Sequence, residues 1–95
     1  MYEVRHMKAI VSVFAKDSKG ITAYVTALLA ENEINILDIS QTLMQEYFAM
    51  IMLVDLSKST AGAAEVRDRF QTLGQEMKMQ VTVTRQEVFD AMHTI

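Results

Sequence analysis

The chain has 95 residues, which is enough for one domain with a single modest hydrophobic core. Hydrophobic residues make up 51% of it, which excludes a disordered chain, and the absence of cysteine excludes disulfide scaffolds, thiolate metal sites and thiol nucleophiles. The net charge is −3 and the basic residues are scattered, so we expect no nucleic-acid partner. No apolar run approaches the ~20 residues of a membrane span, and the N-terminus lacks the apolar segment of a secretory signal, so we expect a cytoplasmic protein without a membrane partner.

A strand is predicted over residues 8–15, KAIVSVFA, because this run is apolar and rich in β-branched residues. Residues 1–7 are interpreted as a leader or an extension, and residues 8–95 as a single domain. From Gly20 onwards the apolar residues recur at helical spacing, which predicts a helix up to the segment ENEIN. The residues on its apolar face are Ile21, Tyr24, Val25, Leu28 and Leu29.

The next two segments predict a pair of strands. Residues 36–44 alternate between an apolar and a polar face, which is typical of a half-exposed strand. Residues 47–56 are apolar on both faces, and Gln45-Glu46 between the two segments favours a tight hairpin. In the first of these strands Leu37, Ile39 and Leu43 are assigned to one face, and Asp38, Ser40 and Thr42 to the other.

A second helix and a last strand complete the pattern. The helix opens after KSTAG, residues 58–62, and residues 79–84 alternate as a strand. Residues 87–95 predict a short terminal helix. The buried stripe of the second helix is predicted to be Val66, Phe70, Leu73 and Met77, and the inward residues of the last strand Met79, Val81 and Val83.

The element order is therefore βαββαβ. Right-handed crossovers place both helices on one face of a four-stranded antiparallel sheet, with the first and third strands in the centre. The prediction is an α+β, ferredoxin-like sandwich with a short C-terminal helix. The third strand is apolar on its outer side as well, so either residues 86–95 or another subunit is expected to cover that face.

Several classes of protein with this fold are excluded by their chemistry. The loop KDSKG, residues 16–20, lacks the arginine that an acylphosphatase-like enzyme requires. A soft-metal carrier needs cysteines after the first strand, and RNA recognition needs basic residues around exposed aromatics. His6 and His93 lie near opposite chain ends and support neither a metal pair nor a catalytic base. We therefore expect no catalytic residue, no metal and no cofactor.

The order and spacing of three motifs resemble the ACT domain, a small regulatory module that binds amino acids and related metabolites. The resemblance covers nearly all of residues 7–95 and lies in the turn KDSKGI, the following helix and the stretch EINILDISQ. The segments DISQT and EYFAM are similar to a bacterial and archaeal group of free-standing ACT proteins, the UPF0237 group. Lys19 departs from the family pattern, which often has proline at that position. Asp17, Gly20, Ile21, Ile34, Asn35 and Ile36 match it.

The resemblance implies a non-catalytic module that binds a small ligand, with an amino acid as the expected class, where the first loop meets a neighbouring subunit. Gly20 gives the loop conformational freedom, and the positive end of the helix dipole favours a carboxylate. The same loop also fits a plain capped turn with solvated charges. Asn35 fits a turn residue as well as a ligand contact, and Asp38 fits a solvated surface residue better than a ligand contact. The candidate ligand residues are Asp17, Ser18, Lys19, Gly20, Ile21, Asn35, Ile36 and Asp38.

The predicted edge strand, residues 36–44, also indicates self-association. An open edge leaves N–H and C=O groups unpaired, and neither proline nor a recognisable bulge protects this one. Pairing with the same strand of a second copy satisfies those groups through a two-fold contact. We expect a homodimer with an interface over residues 34–44. The alternative function is an adaptor that has no ligand and docks a larger protein through its outer sheet face.

Overall fold

The computed structural model describes residues 8–16, 20–59 and 62–92. Every helix and strand predicted from the sequence is present, and the bounds of the strands differ from the predicted ones by at most one residue. The last three residues of the predicted terminal helix, 93–95, lie outside the described residues. The elements are β1 (Lys8–Ala15), α1 (Ile21–Glu31), β2 (Asn35–Met44), β3 (Tyr47–Asp55), α2 (Ala63–Met77), β4 (Met79–Arg85) and α3 (Gln86–Met92).

The four strands form one sheet in the order β2-β3-β1-β4, with every neighbouring pair antiparallel. The predicted ferredoxin-like α+β architecture is confirmed, including the central position of β1 and β3. This order leaves β2 and β4 as the two sheet edges.

The hydrophobic core lies between one face of the sheet and the two long helices. Every second residue of β1 and β3 is buried, and these residues form a single cluster with residues of α1 and α2, so both helices cover the same face. Met50 and Met52 are completely buried, which confirms their assignment as core residues. The predicted stripe of α2 is also confirmed, with Val66 and Phe70 buried and Leu73 and Met77 packed against the cluster.

Helix α2 approaches β4 closely at Gly74, which is buried. A methyl group at this position would lie 2.8 Å from the backbone oxygen of Met79, a distance that no unstrained structure tolerates. Gly74 therefore allows the helix to lie directly on the start of β4.

A polar joint links the two helices at the end of α1. Asn32 is the C-cap of α1, is 1% exposed, and donates from Nδ2 to the carbonyl of Leu28 over 2.7 Å. Its Oδ1 accepts a hydrogen bond from Arg69 on α2, which also pairs with Glu65 at 2.6 Å. Both polar ends of the buried amide are thus satisfied, as a buried polar group requires. The left-handed residue of this turn is Glu33, at φ 56°.

Candidate ligand site and open sheet edge

The first group of predicted site residues lies at the start of α1. Gly20 is the N-cap of this helix and has φ 76°, so the predicted need for a glycine at this turn is confirmed. Ile21 is 2% exposed, so its side chain belongs to the core and only its backbone N–H is available to a ligand. Asp17, Ser18 and Lys19 lie outside the described residues, as do His6 and His93.

Tyr24 is a residue whose place the sequence pattern misassigned. Its helical spacing predicted burial on the apolar face of α1, but its side chain is 55% exposed. A methyl group at Gly20 would lie 3.6 Å from Cε2 of Tyr24, so the phenol ring lies beside the turn. The spacing of four residues from Gly20 is the signal that could have placed it there, because residues i and i+4 are neighbours on a helix.

The second group, Asn35, Ile36 and Asp38, lies at the opposite end of the sheet. Asn35 is aligned with Asp55, which is also aligned with Lys8 at the beginning of β1. Gly20 instead follows the end of β1. The 11 residues of α1, about 16 Å of helix, separate the two ends. Within one chain the predicted site residues therefore form two separate groups.

A β-bulge interrupts β2 at its beginning. The register with β3 shifts between Ile36 and Asp38, so Leu37 is the extra residue. The expectation that this edge has no bulge is wrong, because alternation alone carries no signal for an inserted residue. Ile36, and not Leu37, therefore shares a sheet face with Ile39.

Asp38 has a local backbone role on this edge. Its Oδ1 accepts a hydrogen bond from the backbone N–H of Ile39 at 2.9 Å. That N–H consequently points away from β3, towards the open side of β2. Because the N–H groups of a strand alternate in direction, the N–H of Gln41 points towards the open side too, and that of Ser40 points towards β3.

Every residue of β2 is exposed, on both faces of the strand. The expected half-exposed strand is wrong in this respect, because the helices do not reach over the edge of the sheet. Leu43 is 64% exposed although it shares the helix side of the sheet with the buried Phe48. The exposed large apolar side chains of β2 are Ile36, Leu37, Ile39, Leu43 and Met44.

The outer face of the sheet is also apolar. Ile51 is 53% exposed at the centre of β3, so α3, as far as Met92, leaves it uncovered. A shallow cavity of about 160 Å³ lies on this face between Ile51 and Asp38, and Ile10 and Leu53 also line it. Asp38 is thus the one predicted ligand residue that lines this cavity.

Charge at the Asn35 end of the sheet is organised around Asp55. The Oδ1 atom of Asp55 accepts the backbone N–H of Ser57 at 2.9 Å. This hydrogen bond is the main cause of a lowered pKa for the Asp55 carboxyl, and the nearby charges of Lys8 and Lys58 lower the pKa further. In residues 8–16, 20–59 and 62–92 there is no cluster of three or more histidine and carboxylate side chains that would hold a metal ion.

The model of the ACT domain family matches residues 8–84, from the first residue of β1 to the last residue but one of β4. The chain belongs to the ACT domain family. ACT domains are regulatory modules that typically bind ligands. The resemblance to this family that the sequence motifs indicated is confirmed.

Relatives of similar length share the whole domain. The chain is 45% identical to a UPF0237 protein of Clostridium acetobutylicum over 89 residues, which cover 94% of this chain and 100% of the relative. It is 44% identical to a UPF0237 protein of Methanocaldococcus jannaschii, over 93% of this chain and 98% of the relative. The structure of an ACT domain protein from Streptococcus pneumoniae is 35% identical, with a TM-score of 0.77, over 94% of this chain and 97% of that one. None of the helices in the described part of the chain is long and apolar enough to cross a membrane.

Proposed function

We propose that the protein is a cytoplasmic regulatory module that works as a homodimer and binds a small metabolite, of which an amino acid is the favoured class. The single observation that carries this proposal is the exposure of all ten residues of β2 on an open sheet edge, beside separated groups of site residues. Membership of the ACT domain family supports the small-molecule ligand.

The dimer joins the two groups of site residues. A two-fold axis pairs β2 with β2 of the partner in antiparallel fashion. The Asn35 end of one strand then lies towards the hairpin end of the partner strand. That end of the sheet also carries Gly20, because Ala15, the last residue of β1, is aligned with Phe48 at the start of β3. Each site is therefore built from the turn at Gly20 in one chain and the Asn35 region of the other.

The chemistry at Gly20 suits an amino acid. The N-terminus of α1 presents backbone N–H groups and the positive end of the helix dipole, which favour a carboxylate. A ligand atom is able to approach the backbone closely at Gly20 because no Cβ is in the way, and the phenol of Tyr24 borders this space. Asn35 of the partner would supply an amide for the polar end of the ligand.

Regulation follows from the shared position of the ligand. A ligand held by both chains binds the dimer better than the monomer, and it shifts the equilibrium by that difference in affinity. The regulatory effect of ligand binding is a change in the fraction of dimer or in the relative placement of the sheets of the two chains.

Calorimetric titration with the twenty amino acids and the common nucleotides tests the proposal. We expect one group of related compounds to bind, at one site per chain. The variant Gly20→Ala should weaken that binding, because an alanine is strained at φ 76°. Gly62→Ala is the matched control, since Gly62 is also a helix N-cap but has φ −74° and open space around it. The affinity of this variant for the bound compound should equal that of wild type.

Two results would contradict the proposal. If no compound in the panel binds, the proposal of a small-metabolite ligand is contradicted. If wild type and Gly20→Ala bind equally well, the turn at Gly20 is not part of the binding site.

The exposed outer face favours a second candidate function, an adaptor that docks a larger protein through the sheet. Its support is the exposure of Ile51, Phe14 and Tyr47 with α3 in place. This candidate predicts that Ile51→Lys abolishes a stoichiometric complex with a purified partner, while no metabolite affects that complex. A complex that still forms with Ile51→Lys would show that the outer sheet face is not the docking surface.

A further inference from the structure

A cleft of about 420 Å³ lies where β1 ends and β4 begins. This volume falls in the range of about 300–1,000 Å³ that is typical of small-ligand pockets. The last turn of α2 and the first residue of β3 also border the cleft, and all of its walls come from one chain. Among the described residues, neither Gly20 nor any residue of β2 lines it, so these parts of the proposed dimer site do not form its walls. The lining residues that matter below are Phe14, Lys16, Tyr47, Gly74, Lys78 and Met79.

One wall of the cleft is aromatic. The rings of Phe14 and Tyr47 are stacked, with centroids 6.2 Å apart and planes 8° from parallel. Rings at this separation are in contact with each other, so a ligand ring would lie against their exposed surface and not between them. The two side chains are 46% and 43% exposed, which leaves much of that surface available.

The opposite side of the cleft carries Lys78 in an unusual backbone conformation. Lys78 is the C-cap of α2 and has φ 57°, in the left-handed region that glycine or asparagine normally occupies at this position. A lysine here is less stable than a glycine would be, which points to a role for its side chain. Lys78 forms no ion pair with a carboxylate of residues 8–16, 20–59 or 62–92.

The second cation of the cleft is already neutralised. Lys16 lies 3.6 Å from the carboxylate of Glu46 in the hairpin, and both side chains are largely exposed. Among the described residues that line the cleft, Lys78 is therefore the cation without a carboxylate partner, and a single such cation suits a ligand with one negative charge. A phosphate dianion would need more donors than this arrangement provides.

We propose that this cleft is a second ligand site, specific for a small carboxylate that bears an aromatic ring. The ring packs on Phe14, Tyr47 and Met79, and the carboxylate pairs with the ammonium of Lys78. Gly74 also lines the cleft, and the absence of a side chain there lets α2 lie against the start of β4.

Indole-3-acetate is a suitable probe, and calorimetry on the full chain at low salt is the measurement. We expect binding at one site per chain. Indole-3-acetamide, which lacks the charge, and acetate, which lacks the ring, should each bind at least about tenfold more weakly. No binding of indole-3-acetate, or equal binding of the amide, would overturn the proposal.

The variant Lys78→Gly separates a ligand role from a structural one. It should raise the melting temperature, because glycine is unstrained in the left-handed region, and lower the affinity for indole-3-acetate about tenfold. Glu33→Gly is the matched control: Glu33 has φ 56° at the other end of the sheet, so this variant should raise the melting temperature and leave the affinity unchanged. Unchanged affinity in Lys78→Gly would overturn the role of Lys78.

Binding of indole-3-acetate to the cleft should not depend on formation of the dimer. Gln41→Pro, which blocks the open edge of β2, should leave the binding of indole-3-acetate intact, because the cleft belongs to one chain. Loss of this binding in Gln41→Pro would overturn the placement of the site in a single chain, whereas failure of the amino acids without an aromatic ring to bind would contradict only the dimer site.

Discussion

The neighbouring strands β3 and β2 are both rich in apolar residues but have opposite surroundings. Met52 and Ile39 are aligned across the two strands and lie on the same side of the sheet, yet Met52 is 0% exposed and Ile39 is 39% exposed. The helices cover the central strands and leave the edge strand open. The apolar residues of β3 therefore stabilise the fold, whereas those of β2 are available for a partner.

The aligned pair Met52 and Ile39 gives the largest expected difference. Met52→Ala should lower the free energy of unfolding by about 2–5 kcal/mol, because it removes a fully buried side chain and leaves a cavity. Ile39→Ala should lower it by less than about 1 kcal/mol in dilute, monomeric protein. Urea denaturation of both variants measures the two losses, and equal losses would show that β2 is part of the core.

Gly74 tests how closely helix α2 packs on β4. Gly74→Ala should destabilise the fold by about 1–3 kcal/mol, because its methyl group would have to displace the backbone of β4 at Met79. Thermal unfolding measures the effect. Gly62→Ala, which meets open space, is the control and should change stability by no more than about 1 kcal/mol. A tolerated Gly74→Ala would mean that α2 does not lie directly on β4.

Asp55 gives the smallest effect, and its effect depends on pH. Asp55→Ala should cost about 1 kcal/mol or less at neutral pH, because the carboxylate and its hydrogen bond from Ser57 are partly exposed to water. The folded-state pKa of Asp55 is lowered, so this stabilisation is present above about pH 4 and is lost as the pH falls through the folded pKa. Melting temperatures of wild type and variant should therefore converge in acid. A constant difference down to pH 2 would contradict this linkage.

Local sequence patterns predicted the elements well because alternation and helical spacing report the residue period of a strand or a helix. The sheet order followed from the right-handed crossovers, since few other arrangements of βαββαβ are possible. The turn at Gly20 was also predictable, because an isolated glycine at a strand-to-helix joint indicates a special backbone conformation.

What the patterns could not predict depends on tertiary coverage. The alternation in β2 is the same whether or not a helix lies above it, so the exposure of Ile39 and Leu43 had no local signal. The bulge at Leu37 also had no local signal, whereas the spacing of Tyr24 from Gly20 was a signal for its place beside the turn. The sequence named Gly20 and Asn35 as candidate ligand residues of a site shared between subunits, and α1 separates the two residues within one chain.

The central claim is that the open edge of β2 pairs with a second copy of the chain. Gln41→Pro tests it most directly, because the N–H of Gln41 points away from β3 and its loss leaves the sheet itself intact. Ser40→Pro is less suitable, since the N–H of Ser40 points towards β3. Light scattering at micromolar concentration should give twice the chain mass of 10.8 kDa for wild type and the single mass for folded Gln41→Pro. A monomeric wild type, or a dimer that Gln41→Pro leaves unchanged, would contradict the claim.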